Sequence, residues 1–309
     1  MTAKRGALPS GSVELAMPKY SGIGEATVVD LSRDGLPFIP VLGEAHYSRL
    51  GPDPDRHVHP GMVEILLCRR GRGMAIDCGD RTYPFPPGTV MALQPDIPHV
   101  IKPKPKNLLT TWIWFRLPEP GSALPGFTRA QTRWLAGRLA ALPGTFPASR
   151  DLVQSFRRLW RIYRDTPPAA PERRFLVREA AMRLLMDVFD SSESNRRASD
   201  DQRLRSVLDD IRRECEREWP LEEIARRAAM SIPKLTECVR RLTGLPPHQF
   251  LVSCRMERAK QALAETDLDI GAVAKSLGIA AAQHFATVFR RETGISPRRW
   301  RELHRRAAR

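Results

Sequence analysis

Long apolar runs are what this chain of 309 residues most plainly lacks. No stretch of 18 apolar residues occurs, and the first residues carry no apolar signal core. That argues against a membrane helix or secretion and for a cytoplasmic protein. Cysteine is scarce: Cys68, Cys78, Cys215, Cys238 and Cys254 form no CxxC pair and no regular framework. A disulfide scaffold is not expected; thiols packed as small core residues in a reducing compartment are. Acidic residues are in deficit, 35 Asp/Glu against 50 Lys/Arg, for a net charge of +15. Such an excess suits a polyanionic partner. The remainder, 42% hydrophobic and 28% charged residues, is the composition of a globular protein long enough for two domains.

Against these absences stands a repeat. Residues 221–250, LEEIARRAAMSIPKLTECVRRLTGLPPHQF, recur as 269–300, DIGAVAKSLGIAAAQHFATVFRRETGISPRRW. Leu235, Arg240, Arg241, Thr243, Gly244, Pro247 and Phe250 return fifty residues later as Phe285, Arg290, Arg291, Thr293, Gly294, Pro297 and Trp300. Ile224-Ala225 returns as Val273-Ala274, one register off. Each copy reads as helix, tight turn, helix.

In the first copy Ser231 stands where a helix needs its N-cap. Pro233 falls in the first turn, where a missing amide costs no hydrogen bond. Leu235, Val239 and Leu242 form the buried stripe and Gly244 stops the helix. Lys234, Thr236, Glu237, Arg240 and Arg241 are left facing outward. In the second copy Phe285, Val288 and Phe289 go inward and Gly294 stops the helix. Ala282, Gln283, Ala286, Thr287 and Arg290 stay outward. Ser296 caps a last helix with Pro297 at its first position. Residues 247–264 read as one continuous helix with Phe250, Met256, Ala259 and Leu263 on its apolar face. A connector of that length can set two reading helices in successive major grooves, about 34 Å apart. From Arg290 onward there are eight Arg and two Glu, and Arg298, Arg299 and Arg301 are expected at phosphates. Tandem helix-turn-helix units on a basic chain point to double-stranded DNA.

Upstream the rhythm differs. Residues 1–35 form a weakly patterned N-terminal arm. Across 36–125, short apolar runs at 63–68, 74–76, 90–93, 100–101 and 108–115 alternate with Gly/Pro/Asp turns, as in a small antiparallel sandwich or barrel. The period then turns helical over 130–142, 152–163 and 174–189, the last with Phe175, Ala180, Leu184, Leu185 and Val188 along one side. This segment, 126–190, carries more apolar stripe than a small barrel needs for cover, so a homodimer contact is expected there. Residues 191–201 (SSESNRRASD and the next Asp) read as a flexible polar linker. Residues 202–309 form the all-α second domain of what is then an α+β multidomain chain.

The run from Ile270 to Arg301, with Ala274, Gly278, Phe285, Phe289, Gly294, Pro297 and Arg301 at fixed spacing, resembles the signature of AraC-family transcriptional regulators. The likeness is dense over 203–304. It implies a sequence-specific regulator with promoter DNA as its partner, and RNA polymerase as another if it activates. Carried over by position, base contacts come from Pro233, Thr236 and Glu237, and from Ala282, Gln283, Ala286 and Thr287. Two features depart from the family. Glu237 stands where a basic or amide side chain often reads a base; a carboxylate can accept from cytosine N4 but repels phosphate. Alanines fill 280–282, so thymine methyls read through alanine and adenine read by Gln283 are expected. Helix propensity alone is the competing account of those alanines.

The first half has its own spacing. Gly51, His57-Val58-His59, Glu64 and Gly71 match the first motif of cupin barrels, and Gly88 with His99 matches the second. Positions i and i+2 of a strand share a face, so His57 and His59 enter the barrel together. A turn at Pro60-Gly61 returns Glu64 on a neighbouring strand, and His99 approaches from another. Three imidazoles and a carboxylate suit a divalent transition metal. They also suit a polar pocket for a hydroxyl-rich effector, a sugar if the resemblance to sugar-responsive AraC-type regulators holds. A third reading is satisfied structural histidines. Trp112 and Trp114 alternate on one strand, and Trp114 belongs with the pocket in the effector reading. A small-molecule-responsive regulator with a cupin-like barrel needs neither catalysis nor a cofactor. Its rival is a metal-dependent cupin enzyme fused to a DNA-binding module.

Overall fold

The computed structural model describes residues 24–47, 56–71, 75–79, 81–102, 107–119 and 121–306. Two compact units emerge, Met1–Asn195 and Arg196–Arg309. The first contains strands β1 (Gly24–Val29), β2 (Val41–Tyr47), β3 (Met62–Arg70), β4 (Ala75–Cys78), β5 (Arg81–Pro84), β6 (Thr89–Leu93), β7 (His99–Lys102), β8 (Leu108–Arg116) and β9 (Thr145–Pro147). They form a six-stranded sheet, β1-β2-β8-β3-β6-β9, and a three-stranded sheet, β5-β4-β7, with antiparallel pairing throughout. The apolar runs of the sequence fall in β3, β4, β6, β7 and β8. Strand β1 belongs to the stretch read as a weakly patterned arm; it pairs with Leu42–Tyr47 of β2. The rest of that arm (1–23), Gly51 and Met74 lie outside the described residues.

Strand alternation gives the large sheet two different faces. Val63, Ile65 and Leu67 of β3 join Ile113 and Phe115 of β8 on one face. Helices α1 (Arg129–Ala140), α2 (Arg150–Asp165) and the first part of α3 (Arg173–Arg213) cover it with Leu135, Leu139, Phe156, Leu159, Trp160, Leu184 and Val188, among others. Thr111 joins the layers: its hydroxyl donates to the Gly43 carbonyl at 2.9 Å and accepts from Trp160 Nε1 at 3.0 Å. The apolar stripes of 126–190 therefore go largely into covering this sheet. Phe175, expected on the inward side, is 72% exposed. The inward stripe of α3 runs through Val177, Ala181, Leu184 and Val188, and Phe175, two residues before Val177, is turned well away from it.

The expected linker is also corrected. Residues 191–201 are helical and lie within α3. Polar composition does not stop a helix, and 173–213 contains neither Gly nor Pro. Local partners hold these polar residues. Ser191 Oγ donates to Ser149 Oγ at 2.8 Å, Glu193 pairs with Arg138, and Asp200 pairs with Arg203.

In the second unit the end of α3 is followed by α4 (Leu221–Ala228), α5 (Ile232–Thr243), α6 (Pro247–Glu265), α7 (Ile270–Ser276), α8 (Ala282–Thr293) and α9 (Pro297–Arg306). Two apolar clusters organise it. Leu204, Leu208 and Ile211 of α3 pack with Ile224, Leu235, Val239 and Phe250. Met256, Ala259 and Leu263 of α6 pack with Val273, Phe285 and Phe289. Helix α6 buries the four residues its sequence periodicity selects, Phe250, Met256, Ala259 and Leu263. Gly244 (φ 77°) and Gly294 (φ 80°) end α5 and α8 in the left-handed region. Ser296 Oγ accepts from Arg299 N at 3.3 Å as expected of a cap. Ser231 holds the N-cap position without a side-chain hydrogen bond.

Candidate effector site and DNA-reading faces

The other face of the large sheet meets the small sheet around Leu66, Met91, Trp112, Ile76 and Phe85. Most of this interior is apolar, and its polar groups gather together. His57 and His99 face each other through two backbone hydrogen bonds, His57 N to His99 O at 3.1 Å and His99 N to His57 O at 3.0 Å. Among the described residues a single bridge makes His57 strand-like, yet His57 and His59 still share a side, with ring centroids 5.0 Å apart. The turn at Pro60-Gly61 leads into β3, and Glu64 comes back beneath the imidazoles. Its Oε2 lies 3.3 Å from His59 Nε2 and 3.2 Å from His99 Nε2.

The electrostatics follow from this geometry. Burial pushes the Glu64 carboxyl up, but hydrogen bonds and charge from His59 and His99 outweigh it and hold the group well below the usual carboxylate range. Burial opposes a charge on His99, yet the hydrogen bond and charge of Glu64 prevail and raise its pKa. His99 Nδ1 lies 3.0 Å from the Ile97 carbonyl, an acceptor, so that nitrogen carries a proton. Its Nε2 faces the Glu64 carboxylate, so both ring nitrogens of His99 lie against acceptors. Tyr47, also buried, is pushed up to about 12 by burial and then by the Glu64 charge. Trp114 stacks on His59 with centroids 4.0 Å apart. Its Nε1 is buried with no hydrogen-bond partner among the described residues. The sequence thus places His57, His59, Glu64, His99 and Trp114 together as expected; Tyr47 was not anticipated. One ligand atom each from His57, His59 and His99 falls within 4.8 Å of the others. That donor set fits a transition ion.

In the second unit, residues 231–240 and 281–290 show the same burial position by position. Leu235, Cys238 and Val239 are buried in one copy, Phe285, Val288 and Phe289 in the other. The first stripe therefore includes Cys238, and Leu242 is only half-buried. Pro233, Lys234, Glu237, Arg240 and Arg241 on α5, and Ala282, Gln283, Thr287 and Arg290 on α8, are exposed; Thr236 and Ala286 are half-buried. Thr236 and Thr287 each donate to the carbonyl four residues back, at 3.0 Å, so each hydroxyl keeps its capacity to accept. Lys234 pairs with Asp200, and Arg241 Nη2 lies 2.6 Å from Asp201 Oδ1.

Arg298 and Arg299 are exposed and share Glu302 at 3.4 and 3.2 Å. Arg301 is a correction to the phosphate reading. Its Nε donates to the Leu263 carbonyl at 3.3 Å and its Nη2 to the Leu268 carbonyl at 2.5 Å. It serves open carbonyls in the last turn of α6 and just beyond it, an end that sequence spacing cannot place near residue 301.

Known proteins match these two parts separately. Residues 224–303 match a helix-turn-helix domain, and residues 41–208, more than half of the chain, match an AraC-like ligand binding domain. The chain belongs to the AraC family of transcriptional regulators. This AraC-family regulator is 26% identical over 245 residues to the HTH-type transcriptional activator RhaS of Citrobacter koseri, covering 78% of this chain and 85% of the relative. RhaS of Yersinia pestis is 25% identical, with coverages of 78% and 86%. Among solved structures, a DNA-binding transcriptional dual regulator of Escherichia coli K-12 is 32% identical over 33% of this chain and 90% of that one, with a TM-score of 0.30. The DNA-binding domain of AdpA in complex with a target DNA is 28% identical over 34% and 95%, with a TM-score of 0.33. The AraC-family regulator thus joins a domain for a small-molecule effector to a helix-turn-helix domain for DNA, and the two matched domains and the RhaS relatives favour the regulator over the enzyme reading. No helix among its described residues is long and apolar enough to cross a membrane.

Proposed function

We propose that this regulator, acting in the cytoplasm, reads promoter DNA with the exposed ridges of α5 and α8. It senses a hydroxyl-rich metabolite, a sugar, at His57, His59, Glu64, His99 and Trp114. One observation carries the effector reading. Inside an apolar interior, a charged carboxylate and two imidazoles bonded to it gather beside Trp114, whose buried indole N–H has no partner among the described residues. Both imidazoles bond Oε2 of Glu64, and the effector's hydroxyl is proposed to donate to its other carboxylate oxygen. Trp114 Nε1 offers the complementary donor, and a buried donor left unmade is costly. Base contacts fall to Pro233, Thr236, Glu237, Ala282, Gln283, Ala286 and Thr287, and phosphate contacts to Arg240, Arg290, Arg298 and Arg299. Residues 36–125 form the effector domain and 202–309 the DNA-binding domain. The exposed Trp134, Phe175 and Met186 support a homodimer through 126–190. Contact with RNA polymerase follows if the protein activates, as its relatives' names say of them.

His59→Ala and Glu64→Ala test the pocket in the full chain, by a reporter challenged with a panel of sugars. The response disappears in both while affinity for DNA is kept; a response that survives both places the effector elsewhere. A second reading rests on the grouping of His57, His59 and His99. A divalent metal would be held by these three and Glu64, with His99 oriented by the Ile97 carbonyl as ligating histidines are. About one metal per chain by elemental analysis, together with loss of the response on chelation, favours it over a metal-free pocket.

A further inference from the structure

The two reading helices repeat in shape but not in charge pairing. On α5, two of the three cations are engaged by carboxylates from another helix. Lys234 pairs with Asp200 of α3, and Arg241 takes Asp201 of α3 in a bidentate grip, Nη1 to Oδ2 at 3.0 Å and Nη2 to Oδ1 at 2.6 Å. The carboxylates sit low, with side chains 9% and 22% exposed, while Lys234 and Arg241 are 46% and 50% exposed above them. Asp200 is further held by Arg203. On α8, fifty residues later, Arg291 pairs only with the adjoining Glu292, and position 284 is a histidine. No side chain of α8 is paired with a carboxylate of another element among the described residues. Arg240 and Arg290, equivalent in the repeat, make no side-chain ion pair among the described residues in either copy.

A DNA phosphate and an aspartate ask for the same thing from Lys234 and Arg241: charge-assisted N–H donors, in Arg241 a planar fork. A cation already held by a carboxylate must give up that pair to bind phosphate, so its net gain is smaller. We infer that Asp200 and Asp201 set the share of DNA binding carried by α5, by competing with phosphate for Lys234 and Arg241. The inference rests on the reading of α5 as a DNA-facing helix. The second helix-turn-helix then supplies most of the non-specific grip, and the first contributes through its neutral contacts and Arg240. Half-exposed pairs of this kind are weak enough to be exchanged.

The test uses the full-length protein with the isosteric pair Asp200→Asn/Asp201→Asn and a duplex of random sequence. Binding tightens by about three- to tenfold at low salt, and the slope of log K against log salt steepens by about 1–2. Adding Lys234→Ala and Arg241→Ala to that variant removes the gain. Unchanged or weaker binding by the Asn variant overturns the inference, since the aspartates would then only position the two cations. Arg240→Ala separates the underlying reading. If it leaves affinity unchanged, α5 is not at the DNA and the inference falls with it. If it weakens binding while the Asn variant gains nothing, the competition alone is wrong. Should the double variant unfold, Asp201→Asn alone decides, because its side chain is the more exposed of the two.

Discussion

The two faces of the six-stranded sheet are built from the same strands and do opposite things. On the helix-covered face, Val63, Ile65, Leu67, Ile113 and Phe115 are closed over by α1, α2 and α3. On the facing side, one residue along each strand, lie Glu64, Trp112 and Trp114, with His59 and His99 above them. A strand cannot serve one face without setting the other, because a shift of one residue exchanges them. The difference teaches that stability and sensing are divided by parity of position. The same division recurs on α5 and α8, each with one packed stripe and one open ridge.

The largest expected effect tests that parity directly. Phe115→Ala, on the closed face, costs about 3–5 kcal/mol in chemical denaturation. Glu64→Gln, on the sensing face and of nearly the same volume, costs roughly 1–3 kcal/mol and removes the effector response. Equal losses of stability would break the comparison. Gly43 sharpens it from the sensing face of the large sheet. A Cβ there would lie 2.1 Å from Trp112 Cε2, so Gly43→Ala must push the indole aside. The expected loss is about 1–3 kcal/mol, with a changed near-UV circular dichroism; an unchanged spectrum would mean the sensing face tolerates repacking.

On the reading helices, Thr236→Ala and Gln283→Ala each relax base preference by roughly 1–3 kcal/mol of discrimination, measured by binding-site selection. Preferences identical to the parent would move base reading off these ridges. The smallest effects separate two kinds of arginine. Arg301→Ala loses about 1 kcal/mol of stability and leaves the salt slope alone. Arg298→Ala with Arg299→Ala leaves stability alone and flattens the slope by about 1.8. A flattened slope in Arg301→Ala would return that residue to the phosphates.

What was legible in the sequence was whatever depends on local period or on a repeat. The burial of Leu235, Val239, Phe285, Val288 and Phe289, the glycine stops and the buried stripe of α6 follow from spacing, because short-range geometry decides them. The cluster around Glu64 was legible because strand parity and one tight turn bring His57, His59 and Glu64 together. Long-range partners were hidden. Nothing near residue 301 says that its guanidinium serves carbonyls 38 and 33 residues earlier. Nothing in SSESNRRASD announces Ser149 or Arg138 as partners that let a polar segment stay helical. Strand β9 and the exposure of Phe175 likewise depend on what other elements already cover.

Trp114 gives the sensing site an optical signal of its own. Its indole lies against His59, with ring centroids 4.0 Å apart at an interplanar angle of 40°. A polar imidazole packed that close is part of the surroundings that govern the indole's emission. A molecule or ion that takes over His59, or lifts it from the ring, therefore changes the brightness and colour of the protein's fluorescence. Trp114→Phe marks which part of the emission, shared among six tryptophans, comes from the site. Effectors can then be screened by light alone, before any operator is known.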